Sequence, residues 1–212
     1  MFESIKEILD VHFLVQTFGY PGITAIIFAE TGLMLGFFLP GDSLLITAGI
    51  FAAKGDLNIV VLCVLLFLAA TLGNTVGYFF GHKVGKRLFQ REDSLLFKKK
   101  YIENAQAFYK QYGGKAIIIA RFMPIIRTFA PIVAGMADME FRTFFLFNVI
   151  GSLLWAVGLC LAGFYLGKYI PDKYFEPAIF VVIIISLLPA FYHALKSEDT
   201  RKMLKNLIKR SK

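Results

Sequence analysis

Residues 120–137 read ARFMPIIRTFAPIVAGMA, an apolar run that contains two arginines and two prolines. A charged side chain at the centre of a bilayer costs about 2.5–3.5 kcal/mol on insertion scales, so Arg121 and Arg127 are candidate functional residues. Pro124 and Pro131 each remove a backbone donor and are expected to break an ordinary helix. Such a stretch is tolerated in lipid only where it is buried in protein or lines a water-filled cavity.

The composition is typical of an integral membrane protein. Of the 212 residues, 57% are hydrophobic and 23 are phenylalanines, which favours a single membrane domain over residues 1–212. The net charge of +8 is concentrated between apolar segments and at the C-terminus. That pattern indicates cytoplasmic loops beside anionic lipid and argues against a nucleic-acid partner. Cys63 and Cys160 lie in apolar runs, which argues against a disulfide framework, and the acidic start is unlike a cleavable signal peptide.

The first half of the chain predicts an interfacial helix followed by an interrupted apolar segment. Residues 1–21 form an amphipathic pattern that ends at Tyr20-Pro21-Gly22. Residues 22–53 contain Glu30 and the break Leu39-Pro40-Gly41-Asp42. Each arm is shorter than the roughly 20 residues that a crossing helix needs, which predicts a re-entrant hairpin.

A transmembrane helix is predicted at 57–80, because this stretch has no formal charge. It completes a first repeat at 22–80. Glycines at positions 73, 77, 81 and 85 give this helix a flat face for close packing.

The second half repeats this order after a basic linker. Its predicted segments are a basic cytoplasmic loop at 81–115 with an amphipathic helix at about 94–112, a second repeat at 116–167 made of a hairpin and a transmembrane helix, a last transmembrane helix at 177–195, and a basic cytoplasmic tail at 196–212. If residues 116–138 spanned the membrane fully, the basic loop and the basic tail would lie on opposite sides of it, against the positive-inside tendency. A re-entrant path keeps both in the cytoplasm.

A short internal similarity links the two halves. Ile46-Thr47-Ala48-Gly49-Ile50 resembles Ile132-Val133-Ala134-Gly135-Met136, and each follows a Pro-interrupted segment. Interrupted segments at matching positions in two halves indicate a transporter site. The predicted fold is therefore an all-α membrane protein with two opposed re-entrant hairpins in an inverted repeat, three transmembrane helices and amphipathic interfacial helices.

Four charged residues form the candidate site. Glu30 and Asp42 come from the first hairpin, and Arg121 and Arg127 come from the second. Opposed hairpins would bring them into one polar cavity, where acids and arginines offset each other's burial cost. Guanidinium groups bind phosphate well, and Glu30 is the favoured proton carrier. Neighbouring residues are predicted to line the cavity: Pro40, Gly41, Asn74, Tyr78, Pro124, Pro131 and Gly135.

Each of these residues also has a structural interpretation. Arg121 could reach the cytoplasmic interface from the entry of the hairpin. Glu30 could be a structural partner of an arginine, and Asp42 could cap a helix starting at Ser43. Asn74 could make an interhelical hydrogen bond. Packing or interface anchoring is the default role of two aromatic residues, Tyr78 and Trp155.

The chain resembles the DedA family of the VTT-domain superfamily. The matching features are Glu30 with the turn that ends at Asp42, the glycine-spaced segment from Gly73-Asn74 through Gly77-Tyr78 to Gly81, and the pattern Arg121-Phe122-x-Pro124-x-x-Arg127 followed by Pro131-x-x-Ala134-Gly135. The resemblance implies two opposed re-entrant hairpins and translocation of undecaprenyl phosphate across the bacterial cytoplasmic (inner) membrane. The functional acids and arginines of the family map onto Glu30, Asp42, Arg121 and Arg127. Other members are linked to proton-motive force and alkaline tolerance.

Three functions are compatible with these features. The leading hypothesis is a flippase that binds undecaprenyl phosphate or a related anionic lipid through Arg121 and Arg127 and is driven by protons through Glu30 and Asp42. The alternative is a proton-coupled antiporter of a small cation or other solute, and the third is a scaffold. Zinc-protease, serine-hydrolase and Walker motifs are missing from the sequence, so we expect no enzymatic reaction, no cofactor and no metal. The sequence is compatible with either a monomer or a homo-oligomer.

Overall fold

The computed structural model describes residues 11–33, 41–88 and 107–171, together with positions 177 and 181. Side chains are described for 18–33, 41–84 and 107–171, except 124 and 125. Several predicted features lie outside these residues: the start of the N-terminal helix, Pro40, most of the basic loop, the last transmembrane helix and the C-terminal tail. The described residues contain helices and turns but no strand, which confirms the all-α class for this part of the chain.

Helix α1, Val11–Gly32, is broken at Gly19, which has φ 50° and ψ −142°. The sequence predicted this break at Tyr20-Pro21-Gly22, one residue later. Gly19 absorbs the turn because glycine alone adopts such a backbone conformation without strain. Pro21 is then tolerated because it falls in the first turn of the restarted helix, where its missing N–H has no partner to lose.

Helices α2, Gly41–Lys54, and α3, Ile59–Leu88, follow in the first half. Asn58 starts α3, since its Oδ1 accepts hydrogen bonds from the backbone N–H of Val60 at 2.9 Å and of Val61 at 3.2 Å. The helix continues to Leu88, beyond position 80, where the sequence predicted its end and the start of a loop. Charged residues after position 82 therefore extend the helix by two turns, because lysine and arginine are good helix formers.

The second half contains a helical segment at 107–112 and then α4, Lys115–Arg121, and α5, Pro124–Met136. The predicted helix break is confirmed at Pro124, since α4 ends three residues before it, but the prediction was wrong for Pro131. Pro124 lies at the start of α5, where proline is favoured. Pro131 lies inside α5, which continues past it for five residues, so the break falls at Phe122 and Met123.

One long helix completes the described chain. It consists of α6, Phe141–Ser152, a π-helical segment, Leu153–Val157, and α7, Gly158–Tyr169. Together with Ile59–Val84 of α3, Phe141–Tyr169 is long and apolar enough to cross a bilayer. Both helices expose large apolar side chains on their outer faces, as expected of contact with lipid: Val60, Val64, Leu68, Leu72, Val76, Phe79, Leu146, Ile150, Leu153 and Leu154.

Each of the short helices α2 and α5 packs against the long helix of the other half, α2 along α7 and α5 along α3. In the first pair, a Cβ on Gly49 would overlap the carbonyl oxygen of Cys160, and a Cβ on Gly163 would overlap that of Ile46. Glycine is therefore required for the two backbones to approach this closely.

The second pair makes the same two contacts. A Cβ on Gly135 would overlap the carbonyl oxygen of Tyr78, and a Cβ on Gly81 would overlap that of Ile132. Ile132 and Gly135 are the residues that match Ile46 and Gly49 in the internal similarity. The short sequence similarity therefore corresponds to one helix contact that occurs twice.

Candidate functional site

The ends of three helices and one π-helical turn converge on the candidate site. Glu30 lies two residues before the end of α1, and Asp42 lies in the first turn of α2. Arg127 lies in the first turn of α5, and Trp155 is the middle residue of the π segment. Such π turns within α-helices are frequent at functional sites.

Arg127 pairs with both candidate acids of the first half, Glu30 and Asp42. Its Nη2 donates to Glu30 Oε1, and its Nη1 donates to Asp42 Oδ1. Glu30 is fully buried and Arg127 is 8% exposed, whereas 28% of the Asp42 side chain is exposed. Asp42 is therefore the member of this group that faces the outside. The structure therefore brings Arg127 of the second half into contact with both acids of the first half, as the sequence predicted.

Trp155 connects Asp42 with both arginines. Its Nε1 donates to Asp42 Oδ1 at 2.8 Å, and its ring centre lies 4.8 Å from the guanidinium carbon of Arg127 and 5.7 Å from that of Arg121. Aromatic faces attract cations at these distances. The sequence interpretation of Trp155 as a packing or interface residue missed this role, because neither the π turn nor the contact with Asp42 has a local sequence signal.

Arg121 has different surroundings. It is 3% exposed, so it does not reach the interface as the alternative interpretation suggested. Its Nη2 donates to Asn148 Oδ1 at 2.6 Å. Within the described part of the chain, no carboxylate forms an ion pair with Arg121, and its Nε and Nη1 have no hydrogen-bond partner. Arg121 is thus a buried cation held by a neutral amide.

Asn148 is the centre of this neutral group. It is fully buried, and its Nδ2 donates to the carbonyl oxygen of Thr71 at 3.0 Å and to Thr75 Oγ1 at 3.4 Å. The Asn74 amide lies 3.0 Å from Asn148 Oδ1, which is the interhelical contact that the structural interpretation of Asn74 described. The sequence analysis missed Asn148, although a lone amide in the apolar stretch FLFNVIG was the available signal.

The remaining predicted cavity residues divide into two groups. Gly41 lies against the Glu30 carboxylate, where a Cβ would overlap it. Tyr78, Pro131 and Gly135 lie instead at the α3–α5 contact. The Tyr78 hydroxyl donates to the carbonyl oxygen of Met139, and its ring stacks on Phe144 at 4.5 Å. Pro124 begins α5.

The structure also tests the interpretation of Asp42 as a helix cap. Helix α2 begins at Gly41, so Asp42 lies within its first turn and not before it. Its Oδ1 accepts hydrogen bonds from Arg127 and Trp155. A carboxylate is favourable at a helix N-terminus, but here its hydrogen bonds to side chains join α2 to the second half.

An apolar groove of about 630 Å³ runs along the outside of α1 and α3. It extends from Tyr20 to Leu33, which is about 20 Å of helix at 1.5 Å per residue. Its lining is formed by Tyr20, Pro21, Thr24, Ala25, Phe28, Ala29, Leu33, Leu65, Leu68, Ala69 and Leu72. The inner end of the groove is the end formed by Leu33 and Leu72. Here Gly32 and Gly73 bring α1 and α3 into contact, and Asn74 follows Gly73 in the chain.

Sequence comparisons with known proteins show the family to which this chain belongs. A VTT domain matches residues 39–165, which include Asp42, both arginines, Asn148 and Trp155. The Escherichia coli K12 protein DedA is 42% identical over 197 residues, covering 89% of this chain and 90% of its own. This chain belongs to the DedA family of VTT-domain membrane proteins.

Two further relatives agree with this assignment to the DedA family. A membrane protein of Mycobacterium tuberculosis H37Rv is 41% identical over 186 residues, covering 86% of this chain and 81% of its own. The inner membrane protein YqjA of Escherichia coli K12 is 35% identical over 143 residues, covering 68% of this chain and 65% of its own. No solved structure gives a significant match.

Proposed function

We propose that this DedA-family protein is a flippase for an anionic lipid phosphate, with undecaprenyl phosphate as its substrate, in the bacterial cytoplasmic membrane. The observation that carries the proposal is the buried Arg121, which has no acidic partner among the described residues. A buried cation is costly unless it is paired. A lipid phosphate that enters the site supplies the missing charge.

The short helices beside the site support a re-entrant arrangement. Helices α2 and α5 have 14 and 13 residues, whereas a crossing helix needs about 20. The repeated α2–α7 and α5–α3 contacts support an inverted repeat, in which we propose that the hairpins enter from opposite faces. In this topology the basic region 82–115 and the C-terminus are cytoplasmic.

The apolar groove offers a place for the lipid tail. Its lining is almost entirely apolar, and its inner end lies beside the Gly32–Gly73 contact and Asn74. The polyprenyl chain lies along this groove while the phosphate reaches Arg121. This arrangement keeps the apolar tail out of water throughout translocation.

Protons enter the proposal through Glu30. Arg127 faces two carboxylates, so the group has one negative charge in excess when both are ionised. Glu30 is sealed from solvent, and its Oε2 has no partner within the described part of the chain. Protonation of Glu30 weakens its hold on Arg127 and favours a second arrangement of the hairpins. Transport on this scheme requires no covalent step, cofactor or metal.

The same excess carboxylate favours a second candidate, a proton-coupled antiporter of a small cation. In that case the acids form the binding site and the arginines are structural counter-ions. The two candidates differ in their substrate. The flippase recognises the phosphate of a lipid, whereas the antiporter binds a small cation and needs no lipid phosphate.

The two are separated by reconstituting the native protein with a labelled polyprenyl phosphate or the matched polyprenyl alcohol, with and without a pH gradient. We expect only the phosphate to be translocated, faster with the gradient, and the Arg127→Ala variant to be inactive. Absence of phosphate translocation by folded protein, combined with cation-dependent proton flux, would favour the antiporter.

A further inference from the structure

We propose that Asn148 makes Arg121 an anion receptor, and that the group around them is a subsite for a phosphomonoester headgroup. Asn148 orients the guanidinium without neutralising it. This inference rests on the proposed lipid-phosphate function and adds the residue that sets the charge of the binding site.

The contrast between the two arginines carries the argument. Arg127 donates through both Nη atoms to carboxylates, and these ion pairs balance its charge. Arg121 donates through Nη2 to an amide oxygen at 2.6 Å. An amide accepts the hydrogen bond as a carboxylate does but carries no formal charge, so Arg121 stays available to an anion.

Asn148 is held firmly enough to have this role. Its Nδ2 donates to the Thr71 carbonyl oxygen at 3.0 Å, which fixes Oδ1 as the atom that faces Arg121. Since Asn148 is fully buried and joins α6 to α3, the guanidinium is positioned before any ligand arrives. Preorganised donors bind an anion with less loss of entropy.

The unpaired atoms of this region indicate the chemistry of the ligand. Arg121 Nε and Nη1, Thr71 Oγ1 and Ser152 Oγ are buried without a hydrogen-bond partner in the described part of the chain. Ser152 lies one helical turn after Asn148, on the same face of α6. Gly151 adjoins the guanidinium, since a Cβ there would lie 3.2 Å from Arg121 Nε.

Guanidinium N–H groups can only donate hydrogen bonds, and hydroxyl groups can both donate and accept them. A phosphomonoester presents several acceptor oxygens and a charge near −2 at neutral pH. It therefore satisfies groups that would otherwise stay buried and unpaired. A cation would leave the Arg121 N–H groups unsatisfied.

The test is Asn148→Asp, which keeps the shape of the side chain but places a carboxylate on Arg121. Trp155 is the single tryptophan of the chain and its ring lies 5.7 Å from the Arg121 guanidinium carbon, so its fluorescence reports on the site. Hexadecyl phosphate is titrated into detergent-solubilised protein, with hexadecanol as the uncharged control. We expect saturable binding to the native protein and affinity lower by about tenfold or more in Asn148→Asp, with thermal stability unchanged or raised.

Two further variants keep the result decisive. Asn58→Asp makes the same change at the exposed start of α3 and should bind like the native protein. Asn148→Ala removes the amide without adding charge, so it should bind hexadecyl phosphate more tightly than Asn148→Asp does. If Asn148→Asp is poorly folded, Asn148→Ala decides: its affinity for hexadecyl phosphate should fall by about threefold to tenfold, because the guanidinium keeps its charge but is no longer oriented.

Equal binding by native protein and folded Asn148→Asp would overturn the inference while leaving the flippase proposal intact. Complete loss of binding in Asn148→Ala would also overturn it, because charge would then not be the determinant. Failure of the native protein to bind hexadecyl phosphate would overturn both.

Discussion

At the scale of the residue, Arg121 and Arg127 belong to one sequence motif but have opposite surroundings. Arg127 is neutralised by Glu30 and Asp42, whereas Arg121 rests against the neutral Asn148. Trp155 lies against both guanidinium groups and also holds Asp42. A change at one arginine should therefore have a different consequence from the same change at the other.

We expect Arg127→Ala to destabilise the protein by about 3–5 kcal/mol, because it leaves the fully buried Glu30 carboxylate without a cation and also removes the partner of the partly exposed Asp42. Adding Glu30→Gln should recover part of this loss, since the amide removes one of the unpaired charges. Unfolding in mixed micelles gives the free energies for the native protein, both single variants and the double variant. A double variant no more stable than Arg127→Ala would show that the ion pair does not govern stability here.

At the scale of the element, the sequence predicted which segments carry the site but not how each is arranged. Charges inside apolar runs are conspicuous because their burial is costly, so Glu30, Asp42, Arg121 and Arg127 could be found from the sequence. The position of the helix break at Gly19 and the continuation of α5 through Pro131 depend on local backbone geometry.

Asn148 and Trp155 were missed because their roles exist only in the folded chain. Asn148 contacts α3 residues more than 70 positions away, and Trp155 bonds to Asp42 over 113 positions. Neither contact has a local sequence pattern. By contrast, the glycines of the internal similarity could be identified from the sequence, since both contribute to the same helix contact.

That helix contact provides a test of the repeat. Gly49→Ala and Gly135→Ala should each destabilise the protein, because the added Cβ overlaps a carbonyl oxygen of the neighbouring long helix. Gly158→Ala is the matched control, since no atom lies within 4 Å of the added Cβ. It should stabilise the helix by about 0.5–1 kcal/mol through lower chain entropy.

Thermal unfolding of the three purified variants checks this expectation. Destabilisation by only one of the two repeat glycines would contradict the equivalence of the two contacts.

At the scale of the whole molecule, the fold places a charged site inside a lipid-facing bundle and an apolar groove outside it. Arg121, Glu30 and Arg127 are nearly sealed in this conformation, and Asp42 is the exposed member of the group. The proposed transport therefore requires a second arrangement of the helices in which this site opens.

Filling the groove should affect long lipids selectively. Ala25→Phe places a ring among the lining residues, so we expect slower translocation of polyprenyl phosphate and unchanged binding of butyl phosphate, whose chain is too short to use the groove. Val76→Phe adds a ring on an exposed position of α3 outside the groove and serves as the control. Equal transport by both variants would exclude the groove as the path of the tail.

The most direct test of the central claim is the rate of polyprenyl phosphate translocation in proteoliposomes for native protein and Arg121→Ala. The removed charge has no acidic partner among the described residues, so Arg121→Ala should stay folded while losing translocation. Native-like translocation by folded Arg121→Ala would contradict the account, because the phosphate would then be recognised elsewhere.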